Sequence, residues 1–95
     1  MFPKEKYFRI TSQLLRAVYS IPSNIAEGMG RYTRKEFVNF LTIARGSVEE
    51  CKYFILLVKD LGCLPEIMFN ELTSKYDSLG KMINSLINSL KRKPA

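Results

Sequence analysis

Apolar residues recur along this chain at alternating spacings of three and four, the period of an amphipathic helix, and no segment alternates as a strand does. The strongest pattern lies between Thr33 and Leu61. Its first apolar seam comprises Phe37, Leu41, Ala44, Val48, Cys51, Ile55 and Val58. A second seam beside it comprises Phe40, Ile43, Ser47, Glu50, Phe54, Leu57 and Leu61. Because two seams need two buried faces, the pattern predicts a helix at the centre of a bundle.

Both ends of this central helix carry sequence signals. Thr33 and Glu36 have the Thr-x-x-Glu spacing of a capping box. Gly62 predicts a left-handed cap at the other end, and Pro65 favours the first turn of a following helix. The connections at residues 28–33 and 62–65 are short, so neighbouring helices must run antiparallel.

A second and a third helix flank the central one. The last runs from about Pro65 to Leu90, with its seam at Leu72, Tyr76, Leu79, Ile83, Leu86 and Leu90. The first is marked by Ile10, Leu14, Ala17, Ile21 and Ile25, and we expect it to end before Gly28. Short polar side chains beside Pro22 can meet the backbone groups that a proline frees within a helix. The chain is therefore predicted to be all-α, an antiparallel up-down bundle forming a single domain over residues 1–95.

Two motifs stand at a characteristic separation within these helices. The first is Ser20-Ile21-Pro22-Ser23-Asn24-Ile25-Ala26-Glu27-Gly28, and the second is Phe40-Leu41-Thr42-Ile43-Ala44-Arg45-Gly46-Ser47. Helices ordinarily avoid an internal proline or glycine because both are costly there. From Phe2 to about Leu90 the chain resembles the bacterial four helix bundle family, which includes proteins encoded in intervening sequences of large-subunit ribosomal RNA genes. Accessory proteins of diversity-generating retroelements are similar to this family.

The resemblance carries three implications. The helix through Pro22 should be continuous but bent. A ring-like homo-oligomer is implied, with a homopentamer as the expected form and a reverse transcriptase as a possible further partner. Family members usually begin with another helix before the element that here spans Phe2 to Glu5. Either the given sequence starts after that helix, or the chain lacks it. If the chain lacks it, the groove that this helix would fill is covered by a partner chain, or apolar surface stays exposed.

The positive charge is concentrated in one part of the chain. The net charge is +6, and residues 1–48 hold eight Lys or Arg against three acids, whereas residues 49–95 hold seven against six. Arg31, Arg34 and Lys35 surround the start of the central helix, where free backbone N–H groups favour an anion. These three residues are the predicted nucleic-acid site. The alternative is a solvated turn whose charge only serves solubility.

Polar residues on the packed faces form a second candidate group. Glu50 falls on the second seam of the central helix, and Glu27 closes the first motif. A buried carboxylate needs an opposite charge or several hydrogen bonds, and we expect Arg16 or Arg45 to supply it. The predicted internal polar network comprises Arg16, Asn24, Glu27, Arg45, Ser47 and Glu50. The alternatives are a recognition or acid–base site and simple exposure to solvent.

The composition argues against catalysis. Histidine is absent, which removes the commonest general base, and the two cysteines alone make a poor metal site. No catalytic residue, metal or cofactor is therefore predicted. The longest apolar run, residues 53–58, is too short for a membrane span, and the N-terminus lacks a signal sequence, so the expected location is the cytoplasm. The predicted function is non-catalytic binding of nucleic acid, structured RNA above all, by a homo-oligomer. The alternative is a protein–protein scaffold or accessory subunit without nucleic-acid binding.

Overall fold

Three long helices make up the part of the chain that the computed structural model describes, residues 4–92. Helix α1 spans Lys4–Met29, α2 spans Arg34–Asp60 and α3 spans Glu66–Arg92. No strand occurs between residues 4 and 92. The predicted all-α, antiparallel up-down arrangement is confirmed.

Helix α2 lies in the middle, as its two seams predict. It packs along both neighbours, whereas the Cα atoms of α1 and α3 nowhere come within 8 Å of each other. The molecule measures 56 × 24 × 13 Å, so the three helices lie side by side in a shallow layer. The radius of gyration is 15.7 Å, above the roughly 12 Å expected for a compact chain of this length.

The core forms along the first seam of α2. Leu41, Ala44 and Cys51 are completely enclosed. Residues from α1 and α3 close over this seam from the two sides. They are Ala17, Ile21, Ile83 and Ile87.

The second seam of α2 is buried only in part. Ser47 is enclosed, but Ile43, Glu50 and Leu61 are exposed. On α3 the predicted seam residue Leu86 is 41% exposed, and Ile87 beside it is buried. A flat layer covers only the side of each helix that faces a neighbour, so the outer edge of each predicted seam remains in water.

The ends of α2 follow the predicted chemistry. The Oγ1 of Thr33 accepts the backbone N–H of Glu36 at 3.1 Å and donates to the Glu36 carboxylate at 2.9 Å. At the other end Gly62 has a φ of 78°. The Gly62 N–H donates to Lys59 O and the Cys63 N–H to Val58 O, the two bonds of a Schellman cap.

Helix α1 continues further than the sequence predicts. It passes through Pro22 without a break, as expected, but ends at Met29 rather than before Gly28. Gly28 is buried against α2. A Cβ atom at Gly28 would lie 2.8 Å from the Cβ of Phe40 and 2.9 Å from Cδ1 of Phe37. This glycine is therefore part of the helix contact, where only a residue without a side chain fits.

We expect opposite effects from two Gly→Ala substitutions. Gly28→Ala should destabilise, because overpacking costs about 1–3 kcal/mol, more than the roughly 1 kcal/mol gained in helix propensity. Gly46→Ala should stabilise by about 1 kcal/mol, because nothing lies within 4 Å of its added Cβ. Urea unfolding of both variants measures the difference. Equal free energies of unfolding would contradict the close approach at Gly28.

Candidate nucleic-acid interface

Antiparallel packing brings three helix termini to the same end of the bundle. The last turn of α1, the first turn of α2 and the last turn of α3 meet there. The cations at this end are Arg31, Arg34, Lys35, Lys91 and Arg92. The acidic residues in these turns are Glu27 and Glu36. We call this region the basic end.

A groove of about 470 Å³ opens at the basic end between α2 and α3. Arg34 and Lys35 line it from α2, and Lys91 lines it from α3. Its remaining lining residues are Val38, Asn39, Thr42 and Leu90. Two of the three predicted site residues, Arg34 and Lys35, thus share this groove with Lys91, which lies almost sixty residues further along the chain.

Lys91 was missed as a site residue because its position has a structural reason of its own. A cation in the last turn of a helix complements the helix dipole, so the sequence pattern 91–93 indicated only a helix end. The antiparallel topology was the available signal, since it places the end of α3 beside the start of α2. Lys93 lies outside the described residues.

Arg31 is held beside the groove and does not line it. Its Nη2 donates to Oε2 of Glu27 at 2.8 Å. Its guanidinium carbon lies 4.9 Å from the centroid of the Phe40 ring, within the range of a cation–π contact. Arg31 therefore ties the turn between α1 and α2 to both helices, and its charge is partly compensated by Glu27.

Two of the predicted network residues meet through a serine that the sequence analysis did not include. Ser20 Oγ and Ser47 Oγ are 2.8 Å apart across the α1–α2 contact. The side-chain amide of Asn24 donates to Ser20 O at 2.8 Å and to Ser20 Oγ at 2.9 Å. Ser47 Oγ also bonds Ile43 O at 3.2 Å. This small hydroxyl–amide cluster links α1 to α2 at Pro22, which lies between Ser20 and Asn24 in the chain.

The expected pairing of buried carboxylates with arginine is wrong. Glu27 and Glu50 are both exposed, so neither needs an internal cation. Arg16 bonds Gln13 on its own helix instead. Arg45 Nη1 donates to Asn84 Oδ1 at 2.7 Å and so connects α2 to α3.

A larger polar groove of about 670 Å³ runs between the middles of α2 and α3. Gly46 and Gly80 leave space in it, and charged side chains bridge it. Lys52 Nζ lies 2.6 Å from Asp77 Oδ1 and 3.2 Å from Glu49 Oε2. These hydrogen bonds, Asp77 first, raise the pKa of Lys52, which keeps this amine protonated and unsuited to nucleophilic attack.

The enclosed thiol of Cys51 is equally unsuited to chemistry. Burial raises its pKa, although a hydrogen bond with Tyr76 opposes the shift. Burial also raises the pKa of Tyr76. A reactive cysteine needs the thiolate form and access to substrate, and Cys51 has neither. Among residues 4–92 no group of three His, Cys, Asp or Glu side chains is placed to hold a metal.

Comparison with known proteins agrees with this fold. The profile of the 23S rRNA-intervening sequence protein family matches residues 1–85. The chain belongs to this family. It is also similar to a crystal structure from Bacteroides thetaiotaomicron, described as a protein of unknown function from the S23 ribosomal protein family. The two chains are 26% identical and superpose with a TM-score of 0.82 over 88% of this chain and 78% of the other.

No functionally curated protein matches the chain. Within residues 4–92, none of the helices combines the length and apolar character that a bilayer span requires. The chain and the Bacteroides thetaiotaomicron protein therefore share the helical fold.

Removing the Arg45 side chain should have a modest effect. Since its partner is the neutral amide of Asn84, Arg45→Ala should lower the free energy of unfolding by about 1 kcal/mol, the net worth of one hydrogen bond. A double-mutant cycle of Arg45→Ala and Asn84→Ala should give a coupling energy near the same value. A loss of several kcal/mol on Arg45→Ala would instead indicate a buried carboxylate partner.

Stability should fall at alkaline pH. The folded pKa values of Cys51, Tyr76 and Lys52 all lie above their ordinary values, so each group loses its proton first in the unfolded chain. The unfolded state is therefore favoured as pH rises past about 8.5, the ordinary thiol pKa. Urea unfolding between pH 7 and pH 10 measures this decline. In Cys51→Ala the free energy of unfolding should fall less steeply over the lower part of this pH range. An unchanged slope in that variant would contradict the contribution of Cys51.

Proposed function

We propose that this family member is a non-catalytic, homo-oligomeric helical bundle that binds nucleic acid, structured RNA in particular, at its basic end. The observation that supports the proposal most is the groove shared by Arg34, Lys35 and Lys91. Three cations from two helices surround one opening there, and the N-terminus of α2 adds backbone donors. Phosphate oxygens are the ligands that such a combination favours.

The distribution of charge along the bundle supports the same end. The opposite end mixes signs, since Lys4, Glu5, Lys6 and Arg9 near the start of α1 lie at the same end as Glu66 and Glu71 near the start of α3. A polyanion approaching the molecule is therefore attracted to the basic end and not to the other. The ribosomal RNA in the family's name makes fragments of that RNA the first probes to use.

Assembly would strengthen weak contacts at each basic end. The family resemblance implies a ring of five copies. Several basic ends on one particle bind one RNA with high effective concentration, so each contact need supply little affinity by itself. This explains how a small groove could serve a large polyanion.

A scaffold that binds proteins is the second candidate function. The exposed apolar residues of α1 and α3 favour it, among them Phe8, Tyr19 and Met82, each at least 67% exposed. Surfaces of this kind mark protein contacts. A reverse transcriptase is the partner that the resemblance to retroelement accessory proteins suggests.

A gel shift against ribosomal RNA fragments across a salt series tests the nucleic-acid proposal. Affinity should fall log-linearly with salt concentration because bound phosphates release counterions. Arg34→Ala, Lys35→Ala and Lys91→Ala should each weaken binding and reduce the salt slope by about one. Arg31→Ala should have a smaller effect, since Arg31 does not line the groove.

Matched controls come from the opposite end of the molecule. Arg9→Ala and Lys4→Ala remove the same charges as Arg34→Ala and Lys35→Ala, and both residues are exposed. If the control and test variants lose the same RNA-binding affinity, only the net charge matters and the proposed site is wrong. Binding that ignores salt, or no binding at all, would favour the scaffold.

A further inference from the structure

The two grooves between α2 and α3 adjoin each other. Thr42 lines both the opening at the basic end and the larger polar opening between the middles of the two helices. All the other residues that line these two openings also belong to α2 or α3. We call the combined depression the α2–α3 groove.

Cations stand in pairs on the two walls of the α2–α3 groove. Lys35 of α2 and Lys91 of α3 line it at the basic end, and Arg45 of α2 and Lys81 of α3 line it further along. Ten residues separate the two pairs on each helix, from 35 to 45 and from 81 to 91. Because a helix rises 1.5 Å per residue, the pairs lie about 15 Å apart.

The fold itself leaves these four charges uncompensated. Within residues 4–92, Lys35, Lys81 and Lys91 make no salt bridge, and all three side chains are exposed. Arg45 bonds only the neutral side-chain oxygen of Asn84, so it keeps its full charge. Such a row of cations attracts a ligand that carries several negative charges along its length.

The positive stretch ends beyond the second pair. Lys52 lines the groove there, but it is bonded to both Asp77 and Glu49. One cation with two carboxylates carries a net negative charge and repels an anion. The stretch that attracts a polyanion is therefore about 15 Å long, which is the axial length of about four to five stacked nucleotides at 3.4 Å each.

Two glycines deepen the groove beside the second pair. Gly46 follows Arg45 on α2, and Gly80 precedes Lys81 on α3. A Cβ atom at Gly46 would have nothing within 4 Å, and one at Gly80 would lie 3.6 Å from Cγ1 of Val48. The missing side chains let a ligand backbone approach closely between the two cations.

The length of the groove favours a single strand over a duplex. A strand within a duplex completes a turn in roughly 34 Å, so over 15 Å it winds almost halfway round its axis and leaves a groove that follows two packed helices. The groove also lacks a surface on which bases could stack among its described lining residues. Its one aromatic lining residue, Tyr76, packs against the core.

We propose that the α2–α3 groove binds the sugar–phosphate backbone of a single-stranded RNA segment of about four to five nucleotides, such as a loop or an end of a structured RNA. The proposal rests on the proposed RNA binding at the basic end and extends that site to Arg45 and Lys81. Phosphates contact the two cation pairs while the bases face solvent, so binding is independent of sequence.

Fluorescence anisotropy with a labelled RNA tests the choice of a single strand. The probe is an RNA of roughly ten nucleotides without self-complementary sequence, within the site sizes of single-strand binding proteins. The same strand annealed to its complement should bind more weakly than the strand alone. A second single strand of unrelated sequence should bind as tightly as the first.

Lys81→Ala tests the extension of the site, because Lys81 makes no salt bridge within residues 4–92 and its loss should leave the fold intact. It should lower the affinity for the single strand about fivefold at about 0.1 M salt and reduce the salt slope by about 0.7, the loss of one phosphate contact. Lys75→Ala is the matched control. Lys75 is an exposed lysine of the same helix, but it lines the opening between α1 and α3, so its removal should leave the salt slope unchanged.

Gly46→Leu tests the groove without changing a charge. Its side chain fills the space between Arg45 and Lys81 and should cost as much as losing both phosphate contacts, about 25-fold at about 0.1 M salt. Gly46→Ala should bind close to the parent protein. Circular dichroism should show the same helix content in both variants, since the added Cβ meets no neighbour.

The outcomes separate this proposal from the proposed function. If Lys35→Ala and Lys91→Ala weaken binding but Lys81→Ala and Gly46→Leu do not, the extension along the groove is wrong and the basic end remains the site. Equal affinity for the duplex and the single strand would overturn the choice of a single strand. No binding of either RNA would overturn both the proposed function and this extension.

Discussion

The first apolar seam of α2 holds the three helices together. Leu41, Ala44 and Cys51 have no exposed surface, and the buried apolar residues of α1 and α3 pack in one cluster with this seam. Burial of apolar surface is the main favourable term in folding. Here the buried cluster contains residues of all three helices. The close approach at Gly28 and the Ser20–Ser47 bond then set how α1 lies on α2.

This dependence on α2 explains both the shape and the open surface. With α1 and α3 on two sides of one helix and no backbone contact between them, the chain forms a layer and not a closed bundle. A small core of this kind leaves a large share of apolar surface in water. The exposed apolar side chains of α1 and α3, among them Phe8, Tyr19 and Met82, are the consequence.

The same topology produces the basic end. Helices that alternate in direction place one C-terminus beside the next N-terminus, so cations that complement the dipole at the end of α3 stand near those at the start of α2. Arg34 and Lys35 occupy positions where the dipole disfavours positive charge, which costs a little stability. An anion bound in the groove would offset that cost. Arg31 is held beside the groove by Glu27 and Phe40.

The sequence by itself determined the helices, their caps and the central place of α2, because period, capping residues and short connections act over a few residues. It also indicated Arg34 and Lys35, which are neighbours in the chain. Only the tertiary structure decided that Lys91 joins them, that Arg45 bonds Asn84, that Glu50 is exposed and that α1 runs through Gly28. Each of these depends on which side of a helix a neighbour covers, and helical periodicity reveals that a side is apolar without revealing what lies against it.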